Sequence, residues 1–157
     1  MKLKGITDED FVNYKKPSMF IAFPHCTFKC EKDCGELCCQ NSALANAETF
    51  EISCREIVDR YLSNPITSAV VCGGLEPFDD FPDLYNLVWE LRRRSKDDVV
   101  IYTGYNREEI AEQIKTLAGE GNIIVKFGRY IPHQEPHADP VLGVSLASGN
   151  QYAERIG

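Results

Sequence analysis

The short apolar run SAVVCGG, residues 68–74, stops at two glycines. An unbroken apolar stretch of this length is typical of a strand that is buried on both faces of a sheet. Four further segments have strand patterns, and they cover residues 18–23, 98–104, 122–128 and 141–148. We therefore predict five strands, of which the segment 18–23 is the first and the segment 141–148 is the last.

Helical patterns separate these strands. Residues that commonly cap helices, namely Ser53, Asp80 and Asn106, each precede apolar residues at helical spacing. Strands that alternate with helices form β-α-β units around a mainly parallel sheet. We therefore expect one α/β domain over residues 1–157. In this arrangement the three arginines at 92–94 fall at the end of the second helix, where cations suit the negative end of the helix dipole.

The loops that follow parallel strands meet at one edge of the sheet, and ligands bind at this edge. Four such segments are the cysteine-rich stretch after residue 23, the Gly73-Gly74 pair, the Thr103-Gly104 pair and Gly128. The pattern predicts one ligand site built from parts of the chain that lie far apart in sequence.

The composition argues against some classes of function. The formal net charge is −7, whereas nucleic-acid binding draws on clustered basic charge. No apolar run approaches the roughly 20 residues that span a bilayer, and the N-terminal residues lack the apolar region of a secretory signal. We therefore expect a cytosolic protein with reduced thiols, and neither a nucleic-acid nor a membrane partner.

The stretch HCTFKCEKDCGELCCQN, residues 25–41, contains five of the seven cysteines. An odd number of thiols in a cytosolic chain disfavours disulfides. A structural zinc site usually has two C-x2-C pairs, which this stretch lacks. Cysteine thiolates also hold iron–sulfur clusters, and a four-iron cluster with three thiolate ligands leaves one iron open. The number of cysteines by itself leaves zinc and iron–sulfur as alternatives.

Four motifs together resemble a known family. They are Cys26-x3-Cys30 with a further cysteine before Gln40-Asn41, GGLEP at 73–77, YTGY at 102–105 and LASGNQ at 146–151. In this order the motifs are similar to those of radical S-adenosylmethionine (SAM) enzymes, and in particular to activating proteins of anaerobic ribonucleoside-triphosphate reductases. The resemblance covers about residues 18–155. It implies an incomplete, TIM-like β/α barrel with a mainly parallel sheet.

The resemblance also implies the site residues. Cys26, Cys30 and Cys39 would hold a [4Fe-4S] cluster within a loop at 24–41, with spacing C-x3-C-x8-C. The superfamily's usual spacing is C-x3-C-x2-C, so Cys34 and Cys38 stay open as the third ligand. The residues that would bind SAM are Gly73, Gly74, Glu76, Tyr102, Thr103, Gly104 and Gly128. Here the glycines would let the backbone approach the ligand, and Glu76 would accept a hydrogen bond from its ammonium group.

The activity implied is reductive cleavage of SAM to a 5′-deoxyadenosyl radical, which generates a glycyl radical on a large partner. The expected partner is an anaerobic ribonucleotide reductase, and the expected electron donor is a flavodoxin or a ferredoxin. Alternatives are an activase of another glycyl radical enzyme, a radical SAM enzyme for a small molecule or peptide, and a zinc-stabilised binding module without activity. We assign no role to Cys54 and Cys72, and we expect HQEPH at 133–137 to be a surface loop.

Overall fold

The computed structural model describes residues 1–25 and 47–157. Ten strands lie in these ranges: β1 Lys2–Leu3, β2 Gly5–Asp10, β3 Ser18–Phe23, β4 Phe50–Glu51, β5 Ala69–Gly74, β6 Asp98–Tyr102, β7 Ile123–Phe127, β8 His137–Asp139, β9 Val144–Leu146 and β10 Tyr152–Arg155. Three α-helices lie in the same ranges: α1 Cys54–Leu62, α2 Phe81–Arg92 and α3 Ala111–Ala118. The 3₁₀ turns Pro77–Asp80 and Arg107–Ile110 lead into α2 and α3.

Six strands form one sheet in the order β10-β7-β6-β5-β3-β2. The four central strands β3, β5, β6 and β7 are parallel, whereas β2 and β10 pair antiparallel at the two edges. The α/β class and the largely parallel sheet are thus confirmed. Within the described residues the sheet is open, because β2 and β10 each have only one neighbour in it. A closed barrel is therefore not formed by these strands.

Both faces of the sheet are buried, as the unbroken apolar runs predict. On one face, Ile21, Cys72, Ile101 and Val125 belong to a core that includes residues of all three helices. On the other face, which we call the inner face, Val71, Val100 and Ile124 pack with Tyr14, Leu142 and Leu146. Since successive side chains of a strand point to opposite faces, each central strand contributes to both cores.

The apolar pattern of the sequence does not predict the two antiparallel edge strands. The pattern predicts segment 18–23 as the first strand, but it is the third, and it predicts 141–148 as the last, but Tyr152–Arg155 follows it. Within that segment only Val144–Leu146 is a strand, and it pairs with β8 outside the main sheet. The reason is that β2 (GITDED) and β10 (YAER) carry charges at exposed positions. An edge strand needs no continuous apolar run, so the apolar pattern does not reveal it.

The helix caps agree with the sequence in two of three cases. The Ser53 hydroxyl accepts a hydrogen bond from the amide of Glu56 at 3.1 Å, as predicted. A capping box joins Asn106 to Glu109, although it opens the 3₁₀ turn before α3. The predicted cap at Asp80 is wrong, since its side chain makes no capping bond. The turn before α2 is instead capped by Glu76.

The three arginines lie at the C-terminal end of α2, as predicted, and each has a structural partner. Arg92 donates to the carbonyl oxygens of Gly121 and Asn122 at 2.9 and 3.0 Å. Arg93 stacks on the ring of Trp89 at 4.6 Å, and Arg94 pairs with Asp59. Among the described helices, none has the length and apolar character that crossing a membrane requires.

Candidate functional site

The exits of the four parallel strands are bonded to one another at the C-terminal edge of the sheet. After β3 and β5, the amide of Leu75 donates to Phe23 O at 3.3 Å and the amide of Glu76 donates to His25 O at 2.7 Å. After β6 and β7, the amide of Gly128 donates to Tyr105 O at 3.0 Å. The turns that the sequence places at one edge therefore lie there in contact.

Glu76 lies at the centre of this edge and is only 5% exposed. Its Oε1 accepts from the Thr103 hydroxyl at 2.8 Å and from the Phe78 amide at 3.1 Å. Its Oε2 accepts from the Gly104 amide at 2.8 Å. One carboxylate thus ties the exit of β5 to the exit of β6.

The electrostatic surroundings of Glu76 are unusual for a carboxylate. Burial raises the pKa of Glu76 to about 7, because its three hydrogen bonds offset the loss of hydration only in part and the charge of Asp79 adds to the increase. Within the described residues, the donors bonded to this carboxylate are all neutral. A buried acid of this kind is well suited to a cationic group of a ligand.

Gly73 and Gly74 are explained by packing within the chain. Gly74 has a φ of +81°, and a Cβ there would lie 2.7 Å from the Cα of Ala22. A Cβ on Gly73 would lie 3.1 Å from the ring of Phe20. The end of β5 can therefore approach β3 this closely only if position 74 lacks a side chain, while a Cβ at position 73 would require the Phe20 ring to shift. Contact of these glycines with a ligand stays a prediction.

The side chains of Tyr102, the last residue of β6, and Thr103, the next residue, point in different directions. The Tyr102 hydroxyl donates to the carbonyl oxygen of Asn13 at 2.6 Å, in the loop between β2 and β3. Thr103 is 2% exposed, and its hydroxyl joins Glu76 to the amide of Tyr105, from which it accepts at 3.0 Å. Thr103 and Gly104 thus lie beside Glu76 at the edge, while the phenol of Tyr102 is held against the inner face.

Gly128 is held by the LASGNQ motif at residues 146–151. Gln151 donates from its Nε2 to Gly128 O at 3.3 Å, while its Oε1 accepts from the amides of Ala147 and Ser148 at 3.1 Å each. Gly128 has a φ of +103°, and a Cβ there would lie 3.1 Å from the Asn150 amide nitrogen. The motif, which is not part of the main sheet, therefore holds the residue after β7 in place by hydrogen bonding.

The chain leaves the described part of the structure at this same edge. His25 follows β3, and its Nδ1 lies 2.8 Å from Oδ1 of Asp80. The next residue is Cys26. The predicted cluster ligands Cys26, Cys30 and Cys39, and the alternatives Cys34 and Cys38, lie outside the described residues.

The remaining residues considered in the sequence have structural surroundings. Cys72 is fully buried in β5, and burial raises the pKa of its thiol to about 12. Burial also raises the pKa of Cys54. His133 lies in an exposed turn, and His137 begins β8. In residues 1–25 and 47–157, no group of three or more His, Cys, Asp or Glu side chains is arranged to hold a metal ion.

Lys126 was missed by the sequence analysis. It lies on β7 and is 6% exposed. Its Nζ donates to Gly128 O at 2.9 Å and to Thr103 O at 3.2 Å. The signal in the sequence is the single charge within the apolar run NIIVKFG, residues 122–128. A lysine inside a strand that is buried on both faces needs polar partners.

One comparison with known protein families bears on the class of the protein. A family model described as a 4Fe-4S single cluster domain matches residues 18–147, from the start of β3 to the residue after β9. The chain belongs to this family. No curated protein and no solved structure matches the chain significantly. The family supports a [4Fe-4S] cluster, and it is consistent with a radical SAM-like protein.

Proposed function

We propose that the chain is a radical SAM enzyme of the cytosol that activates a glycyl radical enzyme, with an anaerobic ribonucleotide reductase as its partner. The observation that carries the proposal is the contact of His25, which directly precedes Cys26 in the sequence, with the GGLEP turn. The last described residue before Cys26 accepts a backbone hydrogen bond from Glu76 of that turn at 2.7 Å. A member of a [4Fe-4S] family thus begins its cysteine-rich segment beside a buried acid at the ligand-binding edge of a parallel sheet.

The residues present fit the two groups that this function needs. Three of the five clustered cysteines, Cys26, Cys30 and Cys39 in our proposal, would hold the cluster. Glu76 would face the ammonium group of SAM, because a buried carboxylate bonded to neutral donors gains most from a cation. The other residues proposed to line the SAM site lie at the C-terminal ends of β5, β6 and β7. They are Gly73, Gly74, Tyr102, Thr103, Gly104 and Gly128.

When bound, the reduced cluster would supply the one electron that splits SAM into methionine and a 5′-deoxyadenosyl radical, which is the chemistry needed to take a hydrogen atom from a glycine of the partner. The chain's own part is to bind and orient. Glu76 fixes the exit of β6 by accepting from Thr103 and Gly104, and Gln151 fixes the exit of β7 at Gly128. Within the described residues the main sheet is open at its edge strands β2 and β10, and an open edge of this kind would admit a loop of a large partner. A flavodoxin or ferredoxin would supply the electron.

The first test is anaerobic reconstitution with iron and sulfide, followed by reduction in the presence of SAM. We expect about four irons and four sulfides per chain, a brown colour, and release of 5′-deoxyadenosine. One zinc per chain without colour would instead indicate the zinc-stabilised module. A full cluster that yields no 5′-deoxyadenosine would refute the radical SAM activity while leaving the family assignment intact.

Single alanine variants assign the third cluster ligand. We expect Cys39→Ala to lose the cluster as completely as Cys26→Ala and Cys30→Ala do, because a [4Fe-4S] cluster held by two thiolates is not retained. Cys34→Ala and Cys38→Ala serve as controls in the same loop and should keep full iron content. A Cys39→Ala protein with wild-type iron content would show that another cysteine is the third ligand.

The partner is tested by electron spin resonance. The reduced protein is mixed with SAM and with either an anaerobic ribonucleotide reductase or a pyruvate formate-lyase. We expect a glycyl radical signal with the reductase. A signal with the lyase alone would identify an activase of a different glycyl radical enzyme. Cleavage of SAM with no protein radical in either mixture would favour a small-molecule or peptide substrate.

A further inference from the structure

We propose that Lys126 is a positioning residue for the ligand site, because its buried ammonium group holds the exits of β6 and β7 at a fixed spacing. This inference rests on the proposed function, since it concerns the turns that would contact SAM. Lys126 does not need to touch the ligand for this role.

The position of Lys126 is set by the sheet. Lys126 is in register with Tyr102 on β6 and with Ala153 on β10. It lies two residues after Ile124, whose side chain is in the core of the inner face, so both side chains point to that face. The Nζ lies 5.8 Å from the centre of the Tyr102 ring. The ammonium group is thus placed on the inner face, one row below the strand exits.

The contacts of the ammonium group connect two of the proposed ligand turns. One bond goes to Thr103 O, after β6, and the other goes to Gly128 O, after β7. The backbone adds a third link, since the Thr103 amide donates to Lys126 O at 2.9 Å. Bonds from a charged donor are stronger than those between neutral groups. Lys126 therefore sets the distance between these two carbonyl groups.

The same network reaches Glu76. Thr103 accepts from Lys126 through its carbonyl oxygen and donates to Glu76 through its hydroxyl. Gly128 O also accepts from Gln151, so this oxygen is held from two sides. A shift of Lys126 would thus be passed to Gly104 and Glu76, and it would change the geometry of three strand exits together.

Burial of a lysine at this place argues for a role beyond packing. Removal of an ammonium group from water is costly, and the methylene chain of a methionine would fill similar space on an apolar inner face without that cost. The neighbouring row of this face is apolar and consists of Val71, Val100 and Ile124. The charge is retained where the strands end, which is where alignment of the turns matters for a ligand.

The test compares Lys126→Met with Tyr14→Phe in the cluster-loaded protein, using equilibrium binding of SAM, iron content and thermal unfolding. Tyr14 is the matched control because it lies on the same inner face and its hydroxyl donates to Asp98 at 2.8 Å, at the start of β6 rather than at its end. We expect Lys126→Met to weaken SAM binding by about tenfold, because displaced turns would lose the equivalent of about one hydrogen bond to the ligand. Its iron content should stay at the wild-type value.

Tyr14→Phe should lower the unfolding temperature but keep the wild-type affinity for SAM. Should Lys126→Met fail to fold, Lys126→Gln gives the same comparison, since it also removes the charge. Wild-type affinity in the neutral Lys126 variants would overturn the inference, and so would an equal loss of affinity in Tyr14→Phe. If the wild-type protein does not bind SAM, the proposed function fails together with the inference, whereas binding that is insensitive to Lys126 overturns only the inference.

Discussion

Replacement of Glu76 by glutamine should change the pH dependence of folding stability. The pKa of Glu76 is about 7 in the folded chain, against an ordinary value of 4.5. A raised pKa means that the folded state prefers the protonated acid. The free energy of unfolding therefore falls as the pH rises from about 4.5 to about 7, by up to about 3 kcal/mol at 1.4 kcal/mol per pKa unit. Below pH 4.5 this cost is absent.

Glutamine has no charge to bury, but it cannot satisfy all three donors. Its amide oxygen can accept from Thr103 and Phe78, while its amino group would then face the Gly104 amide. The lost bond costs about 1–3 kcal/mol at any pH. We therefore expect Glu76→Gln to be less stable than the wild-type protein at pH 5. At pH 8 its stability should equal or exceed that of the wild-type protein.

The assay is urea unfolding of both proteins at pH 5 and pH 8, prepared in the same cofactor state. Asp98→Asn is the matched control, because its buried carboxylate is ionised throughout this range. Burial raises the pKa of Asp98, but bonds from Tyr14, Arg155 and Lys16 outweigh it and lower the value to about 2. The stability difference for Asp98→Asn should thus be equal at the two pH values. The reasoning is refuted if the difference for Glu76→Gln is also the same at pH 5 and pH 8.

Three further predictions concern the packing around the site. Gly74→Ala should lower the free energy of unfolding by about 2–4 kcal/mol. The reason is that alanine is unfavourable at a φ of +81°, and its Cβ would lie 2.7 Å from the Cα of Ala22. A loss below about 1 kcal/mol in urea titrations would contradict this packing. Gln151→Leu should cost about 2–3 kcal/mol, since the buried amide of Ser148 and the partly buried amide of Ala147 lose their acceptor, and amide hydrogen exchange around Gly128 should increase. Asp98 contributes stability that is present above pH 3.8 and is lost as the pH falls through about 2, so the disadvantage of Asp98→Asn should shrink only in acid unfolding below pH 4.

Much of the central sheet could be predicted from the sequence, for a physical reason. A parallel strand covered on both faces must be apolar at nearly every position, so β3, β5, β6 and β7 appear as mainly apolar runs, interrupted within β7 by Lys126. The cap at Ser53 is equally local, because the hydroxyl and the amide that it accepts from are three residues apart. The convergence of the strand exits follows from the handedness of the crossovers.

The parts that the sequence did not reveal depend on contacts between distant residues. The edge strands β2 and β10 are defined by pairing with β3 and β7, and their own residues are partly charged. Asp80 has the residue type of a helix cap, yet the fold brings His25 within 2.8 Å of it and leaves capping to Glu76. The side chain of Asp80 thus contacts His25, 55 residues away in sequence, instead of capping the helix that follows it.

For the site, the sequence by itself determined which turns meet at the edge. The β-α-β order and the positions of the cysteines and glycines can be read directly from the amino-acid sequence. Only the tertiary structure decided how they are joined, with one buried carboxylate between β5 and β6 and one buried ammonium group between β6 and β7. The reason is that burial and hydrogen-bond partners set the charge state and the position of these groups, and both arise only when strands distant in sequence pack side by side.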